Sequence, residues 1–313
     1  MRARWLAIFL VLPLLLPAQQ KDTVTDASGR QIVLSEIVIR KGMDAPGFIR
    51  RVQADTSFYK AFRNLRILTY RQRNDVRMFD RQGNLLASQQ SRTRQWAQGG
   101  CRLTLLEEEE HQGDFYTEKG DYRYYTAELY ASLFFAFDTV CGEHNRVGDV
   151  ALTVRGKSGI DKHKEQLKML FFNPGADVPG IPLMGKKARI FDEAHADLYD
   201  FSIDIQDWKG QPAYLFAMTP KAGLRPAQRD KLVIDKMLTW FDPVTMEVLA
   251  RSYDMSYTAG VYDFDVSFEV EISQQGTLRY PSLIRYRGSW DIPFRKRERG
   301  VFTSTITDVQ TLK

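Results

Sequence analysis

Between residues 262 and 272 the chain alternates without a fault: Tyr262, Phe264, Val266, Phe268, Val270 and Ile272 are apolar, and Asp263, Asp265, Ser267, Glu269 and Glu271 between them are polar. A period of two places every second side chain on the same face, so this stretch is a half-buried antiparallel strand with one dry face and one acidic face. The same alternation runs on both sides of it. Phe201, Ile203 and Ile205 alternate with Ser202, Asp204 and Gln206, and Trp208-Lys209-Gly210 turns into a strand over Ala213–Met218. Leu232–Phe241 is a strand that ends at Asp242-Pro243-Val244-Thr245, a type I turn by composition with proline in its second place. Met246–Tyr257 follows, and its phase slips between Val248 and Leu249, which marks a bulge. Gly276 turns into Leu278–Trp290, and Val301–Val309 closes the series. Strands at near-regular spacing with short turns form a meander. A meander of this length predicts a strongly curved antiparallel sheet or incomplete β-barrel.

The first half of the chain mixes the two periods. Residues 19–30 are polar and are expected to fray, and Gln31–Ile39 reads as one short strand. Asp44 is placed to cap a helix, Pro46 fits its first turn, and Phe48, Ile49 and Val52 share a face. Asp55-Thr56-Ser57 interrupts that helix and restarts a second one carrying Phe58, Tyr59 and Phe62, so helical structure is expected over 45–63. Long strands follow over Leu65–Met78 and Leu85–Trp96, joined by the turn Asp80-Arg81-Gln82-Gly83-Asn84. A further strand, Cys101–Leu106, is expected to end in the solvated acidic run Glu107–Glu110. Ala127–Phe137 is apolar throughout, and periodicity alone does not separate a buried helix from a strand there. Gly159–Phe172 has helical spacing and stops at Asn173-Pro174-Gly175. The fold class is therefore mainly β with a few helices (α+β). With no internal repeat or linker, it reads as one domain over 45–313 behind a lead segment at 19–44.

Residues 1–18 predict the compartment. Arg2 and Arg4 precede an apolar run, Trp5–Leu16, broken only by Pro13, and Ala18 offers a cleavage point. This is the pattern of a signal peptide, and the run is shorter than the roughly 20 residues a membrane span needs. The mature part is expected in the periplasm, at the surface or outside the cell, and not as an integral membrane protein. A formal net charge of +5 in 313 residues is a mild bias that argues for no nucleic-acid partner. The two cysteines, Cys101 and Cys141, suit one disulfide in an oxidising compartment. The rival readings are two unpaired thiols, or a Cys-x-x-His element at Cys141–His144 serving metal or nucleophile chemistry.

No catalytic signature is present. The chain has no Gly-x-Ser-x-Gly elbow, no phosphate loop, no His-Glu-x-x-His and no Cys-x-x-Cys. Among four histidines, His195 keeps the most acidic company, with Asp192, Glu193, Asp197 and Asp200. On a helix, Asp192 and His195 share a face, but a polar capped turn explains the cluster more simply. We therefore expect no enzyme activity, no cofactor and no metal. Two basic clusters, Arg63, Arg66, Arg71, Arg73 and Arg77, and Arg295, Lys296, Arg297 and Arg299, suit either anionic headgroups or solvated strand faces. The apolar stretch 178–185 is rich in Pro and Gly and reads as a flap. With the helix before it, it supplies Leu167, Leu170, Phe171, Phe172, Ile181, Leu183 and Met184 as the candidate lining of a hydrophobic ligand site.

A leading helix Phe48–Phe62 before strands from Leu65, a helix and lid before Tyr199–Ile205, the turn Trp240–Thr245 running into Glu247–Tyr257, and Tyr-Pro-Ser at Tyr280–Ser282 are distinctive in this order. Together they resemble the lipoprotein-localisation carrier (LolA-like) superfamily. The likeness spans 45–310 at the level of element order. Phe58–Phe62 and Lys164–Pro174 also resemble an uncharacterised family of secreted bacterial proteins. The resemblance implies a half-barrel whose concave apolar face is plugged by helices, and a lipid or lipoprotein acyl chain as partner. The alternative is a structural or assembly factor with an envelope protein as its partner.

Overall fold

The computed structural model describes residues 22–25, 31–34, 37–39, 44–135, 138–147, 156, 159–172, 187, 189–258, 263–291 and 296–311. Residues 1–18, expected to form a signal peptide, and residues 178–185, expected to form a flap, lie outside the described residues. Where fraying was expected, β1 (Asp22–Thr25) forms and pairs antiparallel with β2 (Gln31–Leu34), which occupies the start of the expected strand. β3 (Ile37–Ile39) is separate from β2 because it has a different partner, as shown below.

Helix α1 (Ala45–Gln53) begins where the capping residues predict: the Asp44 carboxylate accepts from the Gly47 amide at 3.0 Å. Its Phe48, Ile49 and Val52 are buried. Asp55 then starts α2 (Ser57–Asn64), accepting from the Ser57 amide at 2.9 Å, and Phe58 and Ala61 turn inward. One 3-10 turn, Leu65–Ile67, leads into β4 (Leu68–Phe79), β5 (Leu85–Gln98) and β6 (Cys101–Gly113).

The acidic run does not end β6, as expected from the sequence, but lies inside it, and the strand continues to Gly113. β7 (Asp138–Cys141) covers β6 only from Cys101 to Thr104. Among the described residues, no strand pairs with the rest of this edge of β6. Exposed carboxylates suit such an edge because they discourage a second chain from pairing with it. Cys101 and Cys141 face each other in this ladder and are joined by a disulfide, which removes the thiol and metal readings of Cys141–His144.

The apolar stretch that periodicity left open is a helix, α3 (Tyr125–Phe134). Its own cap residue, Tyr124, makes no side-chain bond. Glu298, distant in sequence, accepts from the Tyr125 amide at 3.1 Å and the Thr126 amide at 2.8 Å. A carboxylate at a helix N-terminus satisfies orphan amides and opposes the helix dipole. Glu298→Ala is expected to cost about 1–2 kcal/mol, read as a shift in urea midpoint with unchanged slope.

Helix α4 (Gly159–Phe172) has the expected bounds, and the single turn α5 (Glu193–Ala196) precedes β8 (Tyr199–Trp208) and β9 (Gln211–Pro220). After α6 (Pro226–Arg229) come β10 (Ile234–Phe241), β11 (Val248–Thr258), β12 (Asp263–Gln275), β13 (Leu278–Asp291) and β14 (Glu298–Thr311). The turn at Asp242 forms as composition predicts, with its carboxylate accepting from Val244 and Thr245. The bulge is also where the phase slipped: Trp240 pairs with Ala250 and Phe241 with Val248, leaving Leu249 as the extra residue.

The twelve strands form one sheet in the order β3-β8-β9-β10-β11-β12-β13-β14-β4-β5-β6-β7. Only β3 on β8 is parallel. The last strand returns to pair with the first long one, Phe302 opposite Val76. The edges β3 and β7 do not meet, so the sheet is an unclosed barrel. One continuous core joins the inner side chains of β8 through β14 to Phe48, Phe58, Tyr130 and Phe171 of the helices. A sheet this wide contacts a few short helices along one face only by curving around them. In β12 the inner residues Phe264, Val266, Phe268, Val270 and Ile272 are all buried, as the alternation requires.

Candidate ligand-binding cavity

The helices do not fill the concave face completely. A cavity of about 360 Å³ lies between α2, α3 and α4 and the inner side of β4, β13 and β14. Cavities that hold small molecules run from about 300 to 1,000 Å³. One wall is aromatic. Phe172 packs its ring 4.9 Å from Tyr59 and 4.7 Å from Phe62, centroid to centroid. Phe134 stacks on Phe302 at 5.3 Å, and Phe171 stacks on Phe268 at 4.4 Å. Leu65, Leu133, Phe135, Val140, Ile284 and Ile306 complete the apolar lining.

A second stretch of the wall is cationic: Arg63, Arg66, Arg102, Lys164 and Lys168 face the same space, with Glu143 the one acidic group among the described residues of the lining. The Cys101–Cys141 disulfide places Glu143. Gly142, at a φ of 74°, bends the chain after Cys141 so that residues 143–145 run back over α2. Glu143 there accepts from both Arg66 and Arg102. The next residue, His144, accepts through its carbonyl from Arg63, and Asn145 bonds Lys60 and Asn64. Burial lowers the pKa of Arg66, with Glu143 opposing that shift, and burial lowers that of Lys168, which Glu165 partly restores at 2.8 Å. Between the walls, Gln72 bonds Ser304 at 2.8 Å and Asn74 at 2.9 Å, and burial pushes the Tyr70 phenol up to about 12.

The structure places Phe171 and Phe172 of the candidate lining on this cavity. Leu167 and Leu170 belong to α4, but their side chains are outside the described residues, as are Ile181, Leu183 and Met184 altogether. The first basic cluster is divided where the chain passes from helix to strand. Arg63 and Arg66 line the cavity, while Arg71, Arg73 and Arg77 point outward, where Arg71 meets Asp308 and Arg77 meets Asp75. In the second cluster Arg297 faces Asp291 and Arg299 bonds the Arg81 carbonyl, while Arg295 lies outside the described residues. The acidic cluster around His195 is a polar turn, with Asp192 paired to Arg189 at 3.3 Å. Sequence reasoning missed Arg102, Glu143, Lys164 and Lys168 as site residues.

A second depression, about 390 Å³, lies on the convex face over Trp208, Trp240, Arg285 and Arg287. It is open, and Arg285 is already paired across the strands with Glu269 at 3.2 Å. No described helix is long and apolar enough to cross a membrane.

An open antiparallel half-barrel with an amphipathic cavity under its helices defines the class of protein. No family model and no curated protein matches the chain. Among solved structures it is similar to a DUF1329 family protein from Desulfovibrio piger, at 9% identity and a TM-score of 0.26 over 83% of this chain and 92% of the other. It is also similar to a domain from Vibrio parahaemolyticus described as an outer membrane lipoprotein-sorting protein, at 10% identity and a TM-score of 0.27 over 80% and 89%. A third neighbour is a structure of lipid–protein interactions in lipovitellin, at 7% identity and a TM-score of 0.30, covering 79% of this chain and 26% of that one. The second neighbour is of the kind that the sequence resemblance implies. At these TM-scores the likenesses carry no argument about the site.

Proposed function

We propose that this chain binds or carries a hydrophobic ligand, the acyl chain of a lipid or lipoprotein, in the cell envelope, and that it does so without catalysis. The observation that carries the reading is the aromatic wall of Phe62, Phe134, Phe171 and Phe172, left unfilled between the helices and the concave face of the sheet. Burying an alkyl chain against an aromatic wall is favourable by roughly 0.8 kcal/mol for each methylene removed from water. The disulfide and the signal-like segment at residues 1–18 support a place outside the reducing cytoplasm.

Mature protein purified from its native envelope is expected to release a stoichiometric acyl lipid into an organic extract, measured by mass spectrometry. Phe172→Asp, at a half-buried position, is expected to remove most of that lipid while the protein remains folded by circular dichroism. A clean extract from well-folded wild-type protein, or normal loading of Phe172→Asp, overturns the proposal.

One observation favours the alternative of an assembly factor. Leu85, Leu86, Leu103, Leu105 and Leu106 are each 38–49% exposed on β5 and β6. That reading predicts a stoichiometric envelope protein that co-purifies with the wild type and is lost in Leu105→Glu.

A further inference from the structure

The hydrophobic-ligand reading leaves the cationic wall without a role, and the pairing of its charges shows which are spare. Glu143 is shared by Arg66 and Arg102, and Lys168 is held by Glu165. Arg63 and Lys164 have no carboxylate partner among the described residues. Arg63 is only 6% exposed. One of its terminal nitrogens reaches the carbonyl and ring of His144, and its Nε has no partner. A guanidinium does not discharge by losing its proton, so burying it without an anion costs several kcal/mol. The cations are also close enough to repel one another: Arg63 and Arg102 both depress Arg66, and Lys164 and Arg66 both depress Lys168. Lys164 and Lys168 are one helical turn apart, which puts them on the same side of α4. A wholly neutral alkyl ligand would leave this field unanswered.

We infer that the cavity takes an anionic amphiphile, with its alkyl chain against the aromatic wall and its carboxylate or phosphate oxygens bound by Arg63 and Lys164. This rests on the hydrophobic-ligand reading and adds the headgroup to it. Glu143 does not compete for these two cations because Arg66 and Arg102 already occupy its oxygens. The head therefore sits where α2 faces α4, and the chain runs toward Phe134 and Phe171.

The test uses delipidated full-length mature protein and three probes: palmitate, methyl palmitate and phosphatidylglycerol. Wild-type protein is expected to bind palmitate, phosphatidylglycerol or both at least about tenfold more tightly than methyl palmitate, as charge-assisted hydrogen bonds predict. Lys164→Gln, at a partly exposed position, is expected to reduce that ratio about tenfold. Arg63→Gln is expected to reduce it further. Raising the salt is expected to shrink the ratio least for the buried Arg63. Preference for palmitate alone assigns a fatty-acid carboxylate, and preference for phosphatidylglycerol alone assigns a phospholipid phosphate. Equal affinity for palmitate and its methyl ester, with phosphatidylglycerol no tighter, overturns the anionic head but keeps the hydrophobic site. Failure of all three probes to bind overturns both.

Discussion

Asp55→Ala is expected to lower the unfolding free energy by about 3–5 kcal/mol, more than any other single polar substitution in the described structure. Asp55 and Arg251 form an ion pair at 3.2 Å in which their side chains are 6% and 1% exposed. The pair is embedded in other contacts. Arg251 also bonds Thr239 at 3.1 Å and lies 4.6 Å over the Phe58 ring. Asp55 accepts from the amide and hydroxyl of Ser57, and that hydroxyl in turn accepts from the Val248 amide at 2.9 Å. One carboxylate thus starts α2, neutralises a buried arginine and fixes the helix on β11. Removing it strands the guanidinium in the core, where the uncompensated charge dominates the cost. The double variant Asp55→Ala, Arg251→Met is expected to be more stable than Asp55→Ala alone, because no unpaired charge remains. Urea denaturation of the four proteins in the cycle measures the coupling. A loss below about 1 kcal/mol in Asp55→Ala would show that water reaches Arg251 and that the pair is not buried in solution. Because α2 carries Phe62 and Arg63, lipid retention should fall with stability in the same variant.

The parts of this fold that the sequence discloses are those where one face is dry and the other wet. Residues 263–275 and the strands beside them meet that condition, so their alternation, their turns and even the bulge at Leu249 are readable. Helix α4 is readable because its polar residues interrupt an apolar set at helical spacing. β4 and β5 are not readable in the same way, because their inner face is itself polar: Gln72, Asn74, Gln89, Ser91, Thr93 and Gln95 are buried there. Gln, Asn, Ser and Thr alternating with Arg, Asp and Gln give no contrast between faces, so the strands were legible but not which side faced the core. β6 ran past its predicted end because an exposed edge strand has no buried face to mark its length. The pairing of β14 with β4 joins residues more than 200 apart, and no local pattern encodes it.

The candidate site divides along the same line. Phe171 and Phe172 belong to one helix and announce an apolar patch. The cations come from α2, the 3-10 turn after it, β6 and α4, and their counter-charge comes from the segment after Cys141. No motif of fixed spacing links those elements; the curvature of the sheet and the disulfide bring them together. Arg63 and Arg71 look equivalent in sequence, yet one is enclosed and the other solvated, because the chain changes from helix to strand between them.

That dependence on the disulfide gives the second large effect. Cys101→Ser with Cys141→Ser is expected to cost about 4 kcal/mol, the entropy that a cross-link closing a loop of this length removes from the unfolded chain. The sequence separation is 40 residues, and the loop contains α3 as well as β7. The local consequence should exceed the global one. β7 has only four paired residues, all on β6. Four pairs at a sheet edge hold weakly without a covalent link, so residues 138–147 should detach before the rest of the sheet unfolds. Glu143 would leave with them, and Arg66 and Arg102 would lose their shared carboxylate while remaining in the cavity wall. The serine variant should then show two signatures together: a lower denaturation midpoint, and faster amide exchange confined to β7 and the Glu143–Asn145 segment. Reduction of the wild type by a thiol should reproduce both. If oxidised and reduced protein unfold within about 0.5 kcal/mol of each other, the loop is held by its noncovalent contacts, and Lys60, Arg63 and Arg66 position it without the cross-link. If stability falls without local exchange, the cross-link acts only on the unfolded chain, and the cavity's counter-charge does not depend on it.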